Sequence, residues 1–89
     1  MKCVITALGR DNSGIIAEIG AMLKKNNINV EDITQTIVQN MFTMIMLVNT
    51  GDNGVDMKTL HDEAEALGKK LGIEVRVMHE DIFNAMHKI

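Results

Sequence analysis

The sequence predicts a two-layer α/β sandwich with the element order βαββαβ, and three observations carry that expectation. Two runs, Cys3–Leu8 and Phe42–Val48, are apolar at nearly every position, as strands at the centre of a sheet tend to be. Two other stretches, around Ile15–Leu23 and Met57–Leu71, repeat their apolar residues at helical spacing. Further along, Ile73, Val75 and Val77 alternate with Glu74 and Arg76, the pattern of a half-covered strand. The chain contains no proline, so glycine, asparagine and aspartate mark the boundaries between these segments.

Each element follows from its residues. The first strand runs from about Lys2 to Leu8, and the first helix from about Ser13 to Asn26, with Ile15, Ile16, Ile19, Met22 and Leu23 as its apolar positions. Asn26-Asn27 ends that helix, because asparagine tolerates the left-handed backbone needed there. A second strand extends from Ile28 to about Gln39, and its apolar parity changes between Val30 and Ile33, which predicts a β-bulge around Glu31-Asp32. Asn40-Met41 is the expected hairpin turn into the third strand, and Gly51-Asp52-Asn53-Gly54 the next loop. Met57, Leu60, Ala64, Leu67 and Leu71 mark one face of a second helix that Gly72 terminates. Beyond the fourth strand, Ile82, Phe83, Met86 and Ile89 fall on one helical face. One domain over residues 1–89 is implied, with its core at about 2–79 and a short C-terminal helix within about 80–89.

Composition also orders the strands. The first and third are apolar on nearly both faces and belong in the centre, whereas Asn29, Glu31, Gln35, Gln39, Glu74 and Arg76 place the second and fourth at the edges. Right-handed crossovers then give an antiparallel sheet of order 4-1-3-2, the ferredoxin-like arrangement. Both helices pack on one face, yet Cys3, Ile5, Ala7, Ile45 and Leu47 share their strands with Val4, Leu8, Met44, Met46 and Val48, and both parities cannot face the same helices. The second face is therefore expected to be apolar and covered, with the terminal segment and a second protomer as the candidates, and a homodimer, edge to edge or face to face, is expected.

Gly9-Arg10-Asp11-Asn12-Ser13-Gly14-Ile15-Ile16 joins the first strand to the first helix. At a helix N-terminus the backbone N–H groups lack intrahelical partners and the macrodipole is positive, so such a turn can hold a small anion like an amino-acid carboxylate. From spacing alone the plainer account is that Asp11 or Asn12 caps the helix and the glycines turn the chain.

The string Gly-x-Asp-x-x-Gly-Ile, followed after one helix by Ile28-Asn29-Val30-Glu31-Asp32-Ile33, resembles the signature of the ACT domain family. The resemblance spans nearly the whole chain and is strongest to the short stand-alone UPF0237 proteins, which are related to the glycine cleavage system repressor. It implies a regulatory module, not an enzyme, that senses an amino acid or similar small molecule and modulates a partner in amino-acid metabolism. The ligand pocket it implies uses Asp11, Asn12, Ser13, Gly14 and Ile15 together with Asn29, Asp32 and Ile33. Ser13 stands where many such domains carry proline, which leaves the fold expectation intact and bears on ligand identity.

Other functions are disfavoured by composition. A net charge of −3, with nine scattered Lys and Arg, gives no phosphate-binding surface, and Phe42 and Phe83 are too few aromatics for an RNA-recognition sheet. Cys3 is the lone cysteine and lies in an apolar strand, so it reads as a core residue. His61, His79 and His87 have no ligand spacing, and no nucleophile–base arrangement or phosphate loop is present, so neither a metal nor a cofactor is expected. The eight methionines read as packing residues, and no apolar run approaches a membrane span. A soluble cytoplasmic protein is expected. The alternative functions are a dimeric interaction module without ligand and, less favoured, an RNA binder of the same topology.

Overall fold

Seven elements follow one another: β1 (Lys2–Gly9), α1 (Ile15–Lys25), β2 (Asn29–Val38), β3 (Met41–Asn49), α2 (Met57–Leu71), β4 (Glu74–His79) and α3 (Glu80–His87). They are seen in a computed structural model of the chain, which describes residues 1–10, 14–51 and 55–87. The strands form one antiparallel sheet ordered β2-β3-β1-β4, the predicted order read from the other edge. The fold is the ferredoxin-like sandwich, with α3 added at the C-terminal end.

Register explains the core. Ile5 lies opposite Met46 and Ala7 opposite Met44, so these side chains share the sheet face that the helices cover. Cys3, Ile5, Ala7, Met44, Met46 and Val48 are all buried there, against Ile15, Ile19 and Leu23 of α1 and Leu60 and Ala64 of α2. Burial pushes the Cys3 thiol up, which keeps it protonated and unreactive. Where α2 meets β4 the approach is close: a Cβ on Gly68 would lie 2.8 Å from the Ile73 carbonyl oxygen. Only glycine lets the helix sit that near the strand.

The helix ends follow local chemistry. Asn27 adopts φ 54°, and the N–H groups of Asn27 and Ile28 donate to the carbonyls of Lys24 and Leu23, closing α1 in a Schellman arrangement. Asp56 caps α2, its carboxylate accepting from the Thr59 N–H at 2.7 Å. The predicted bulge is present, with the register shifting between Val30 and Asp32.

Three expectations need correction. The β2–β3 turn is Gln39-Asn40, one residue earlier than predicted: both residues have positive φ, and Val38 pairs with Met41. Two successive left-handed residues match the twist of a hairpin, and the pattern hid this because glutamine is an unusual occupant. Ile16 is 41% exposed and does not join the α1 core stripe, because it lies one position off the row formed by Ile15, Ile19 and Leu23. The outer sheet face is less uniformly apolar than expected. α3 lies over one end of it, where Phe83 approaches Val4, Ile45 and Leu47. The other end carries Thr6, Thr34, Thr36 and Thr43. Within α3, Phe83 is half-buried while Ile82 is exposed, so the two do not share a packed face. Ile89 lies outside the described residues.

The hydrogen bond from Thr59 holds the Asp56 carboxyl below the usual carboxylate range. A depressed folded-state pKa adds stability above the unfolded value and loses it as pH falls through the folded value. Asp56→Asn keeps a capping oxygen without the charge. Urea denaturation across the acid range is expected to show wild type more stable at neutral pH, with the two curves converging at the acid end.

Candidate ligand-binding site

Gly14 is the N-cap of α1, at φ 78°, and among the described residues no side chain caps the helix. The first helical bond runs from the Glu18 N–H to the Gly14 carbonyl at 2.9 Å. The N–H groups of Ile15, Ile16 and Ala17 therefore precede any intrahelical acceptor and leave the helix start electropositive. Glycine is required for its backbone and not for space, since an added Cβ at Gly14 would meet nothing within 4 Å.

Along α1 runs a hollow of about 450 Å³ between α1 and β2, reaching from Ile16 near the helix start to Lys24, Asn27 and Ile28 at its C-terminal end. Ile16, Gly20 and Leu23 form its α1 wall, Asn29 and Val30 its β2 wall, and Met46 its floor. It exists because α2 packs on β4 at the far side of the sheet, while β2 extends beyond α1. Every residue of β2 is exposed, including Ile33 at 39% and Ile37 at 65% on the same face as Met46 and Phe42. Gly20 widens the hollow, because no atom lies within 4 Å of where its Cβ would be.

The residues expected at the site are distributed as follows. Gly14 and Ile15 stand at the α1 start, but the Ile15 side chain is in the core, leaving only its backbone to face a ligand. Asn29 lines the hollow. Ile33 is exposed on the same sheet face. Asp32 sits opposite Leu47 on the other face, beside Phe83 and Asn84 of α3, with its carboxylate accepting from the Ile33 N–H at 2.8 Å. The bulge turns it there, leaving Glu31 to pair with Lys2 at 3.3 Å and to accept from Asn49. Those contacts, Asn49 first, lower the Glu31 pKa. Asp11, Asn12 and Ser13 lie outside the described residues. Sequence reasoning missed Ile16, Gly20 and Val30. The available signal was that Ile16 falls off the core row and that Gly20 interrupts a helix without ending it.

Among the described residues, no group of three or more His, Cys, Asp or Glu is placed to hold a metal ion. Among them, too, no helix is long and apolar enough to cross a membrane.

The model of the ACT domain family matches residues 2–78, a span that includes the α1 start and both walls of the hollow. The chain belongs to the ACT domain family. A UPF0237 protein of Methanocaldococcus jannaschii is 48% identical to this ACT chain over 88 residues, which is 99% of the chain and 98% of the relative. A UPF0237 protein of Clostridium acetobutylicum is 42% identical over 89 residues and covers all of both. Among solved structures, the ACT domain protein from Streptococcus pneumoniae superimposes with a TM-score of 0.84 at 35% identity, over 93% of each chain. The formyltetrahydrofolate deformylase from Burkholderia mallei shares the ACT chain's fold at a TM-score of 0.77 and 15% identity, over 88% of this chain and 28% of that one.

Two glycines of α1 are expected to respond oppositely to alanine. Gly14→Ala forces a Cβ into left-handed backbone and should cost about 1–2 kcal/mol. Gly20→Ala gains helix propensity in open space and should add up to about 1 kcal/mol. Chemical denaturation of both variants measures the signs.

Proposed function

We propose that this ACT domain is a small-molecule sensor that works as a homodimer in the cytoplasm and modulates a partner in amino-acid metabolism or its regulation. The ligand is an amino acid or a similar small zwitterion held in the hollow between α1 and β2. The observation that supports this reading is an electropositive helix start from which an open, largely apolar hollow runs along α1, beginning at Ile16. The helix start takes the carboxylate, Asp11 is the ammonium partner, and the side chain runs along the apolar wall towards Asn29 at the far end of the hollow.

The uncovered β2 edge supports the homodimer. β2 is ten residues long, with Ile33, Ile37 and Val38 exposed and no lysine or arginine along it. Such an edge is a template for another strand, whereas six-residue β4 is blunted by the Glu74–Arg76 pair. A two-fold beside β2 sets the hollows of two protomers next to each other, so that ligand binding and association become linked. A regulatory domain acts by shifting such an equilibrium, with a usual coupling of about 1–3 kcal/mol.

The same exposed edge also supports a ligand-free dimeric interaction module, which the ligand test below separates. An RNA-binding reading has less support. Phe42 is buried on the helix side, and Phe83 lies between α3 and the sheet, so neither offers a ring for base stacking.

Thermal denaturation in the presence of each of the twenty amino acids tests the sensor reading. At least one should raise the melting temperature, since a ligand bound only to the native state stabilises it. Gly20→Leu, which fills the hollow without touching the backbone of the helix start, should abolish that rise. No response to any amino acid favours the ligand-free module.

The dimer has its own test. Ile37→Lys alters an exposed residue, so the protomer should fold normally while sedimentation velocity shows a shift from dimer to monomer. A wild type that sediments as a monomer at micromolar concentration would overturn the homodimer.

A further inference from the structure

A second hollow opens at the end of the sandwich from which α1 departs. It holds about 590 Å³, within the size range of small-molecule pockets, and among the described residues it shares no lining residue with the α1–β2 hollow. Leu8 of β1, Met41 of β3, and Leu71 and Ile73 on either side of the α2 terminus make its walls apolar. Leu8 is 40% exposed, so water lies against surface that a ligand would cover.

Two charged residues stand at the rim, Arg10 and Glu74, and they are not equivalent. Glu74 is occupied, its carboxylate accepting from the Arg76 guanidinium at 2.9 Å. Arg10 is exposed and, among the described residues, has no ion-pair partner. The hollow thus presents one available guanidinium beside an apolar wall, a donor suited to bidentate capture of a carboxylate. Two further features narrow the ligand. The negative end of the α2 macrodipole borders the hollow, which disfavours a multiply charged anion such as a phosphate. Among the described lining residues the one carboxylate, Glu74, is already paired with Arg76, which disfavours a zwitterion. We infer that this hollow binds a small apolar monocarboxylate, an aliphatic or aromatic acid, with Arg10 as the carboxylate partner and Leu8, Met41 and Leu71 against its apolar body.

The described linings of this hollow and of the α1–β2 hollow differ, and the methionines distinguish them: Met41 lines this hollow and Met46 floors the other. The test is a titration of the full chain, carrying methyl-labelled methionine, with hexanoate, followed by NMR. The Met41 signal is assigned through Met41→Leu. Hexanoate is expected to shift the Met41 methyl saturably and leave Met46 in place, with hexanol, hexylamine and inorganic phosphate producing no such shift. Arg10→Gln should weaken hexanoate binding by about tenfold or more, the loss of a charge-assisted contact, while its other methionine signals stay at wild-type positions. A Met41 methyl that does not move at millimolar hexanoate overturns the inference. So does an equal response to hexanol or hexylamine, or an unchanged affinity in Arg10→Gln.

Discussion

Everything in this molecule depends on the antiparallel pairing of β1 with β3. Cys3, Ile5 and Ala7 on one strand and Met44, Met46 and Val48 on the other give a continuous apolar surface that both helices must cover. Deleting a buried side chain at such a site costs about 2–5 kcal/mol, a large part of the stability of a domain this size. The charged contacts around the helices are secondary. Lys25–Glu63 and Lys70–Glu18 link α1 to α2 at 3.1 and 3.3 Å, but they lie in solvent, where such pairs contribute little.

Function follows from how unevenly that surface is covered. Gly68 lets α2 settle closely on β4, and α1 occupies the centre, so β2 is left uncovered on the helix side. The result is a hollow that runs along α1 from Ile16 to Asn27, next to a long strand edge available for pairing. The core and the candidate site are thus one packing solution seen from two sides. At the end of the sandwich the same strands diverge from the α2 terminus, and Arg10 stands over the gap.

The fold was legible because its signals are local and redundant. Alternation in β4, helical spacing in α2, asparagine at the end of α1 and the parity change at Glu31 each name an element by themselves. The misread parts are those where two readings use the same residue types. Ile16 is apolar at a helical position, yet a shift of one residue moves it about 100° around the helix and into solvent. Gln39 enters left-handed backbone because the hairpin twist demands it, not because glutamine prefers it. Asp32 was grouped with Asn29 and Ile33 through the family resemblance, but the bulge places it on the opposite face of the sheet.

The sequence by itself determined the element order, the central and edge strands, the bulge and the glycine at the start of α1. Each of these depends on periodicity or on the backbone preference of single residues, and those are properties of a short segment. Tertiary structure decided which face each candidate residue occupies, that α3 lies over one end of the outer sheet face, and where the two hollows open. Those outcomes depend on how far α1 and α2 reach across four strands, and hence on contacts such as Gly68 with Ile73, which are fixed only when the helix and the strand pack together.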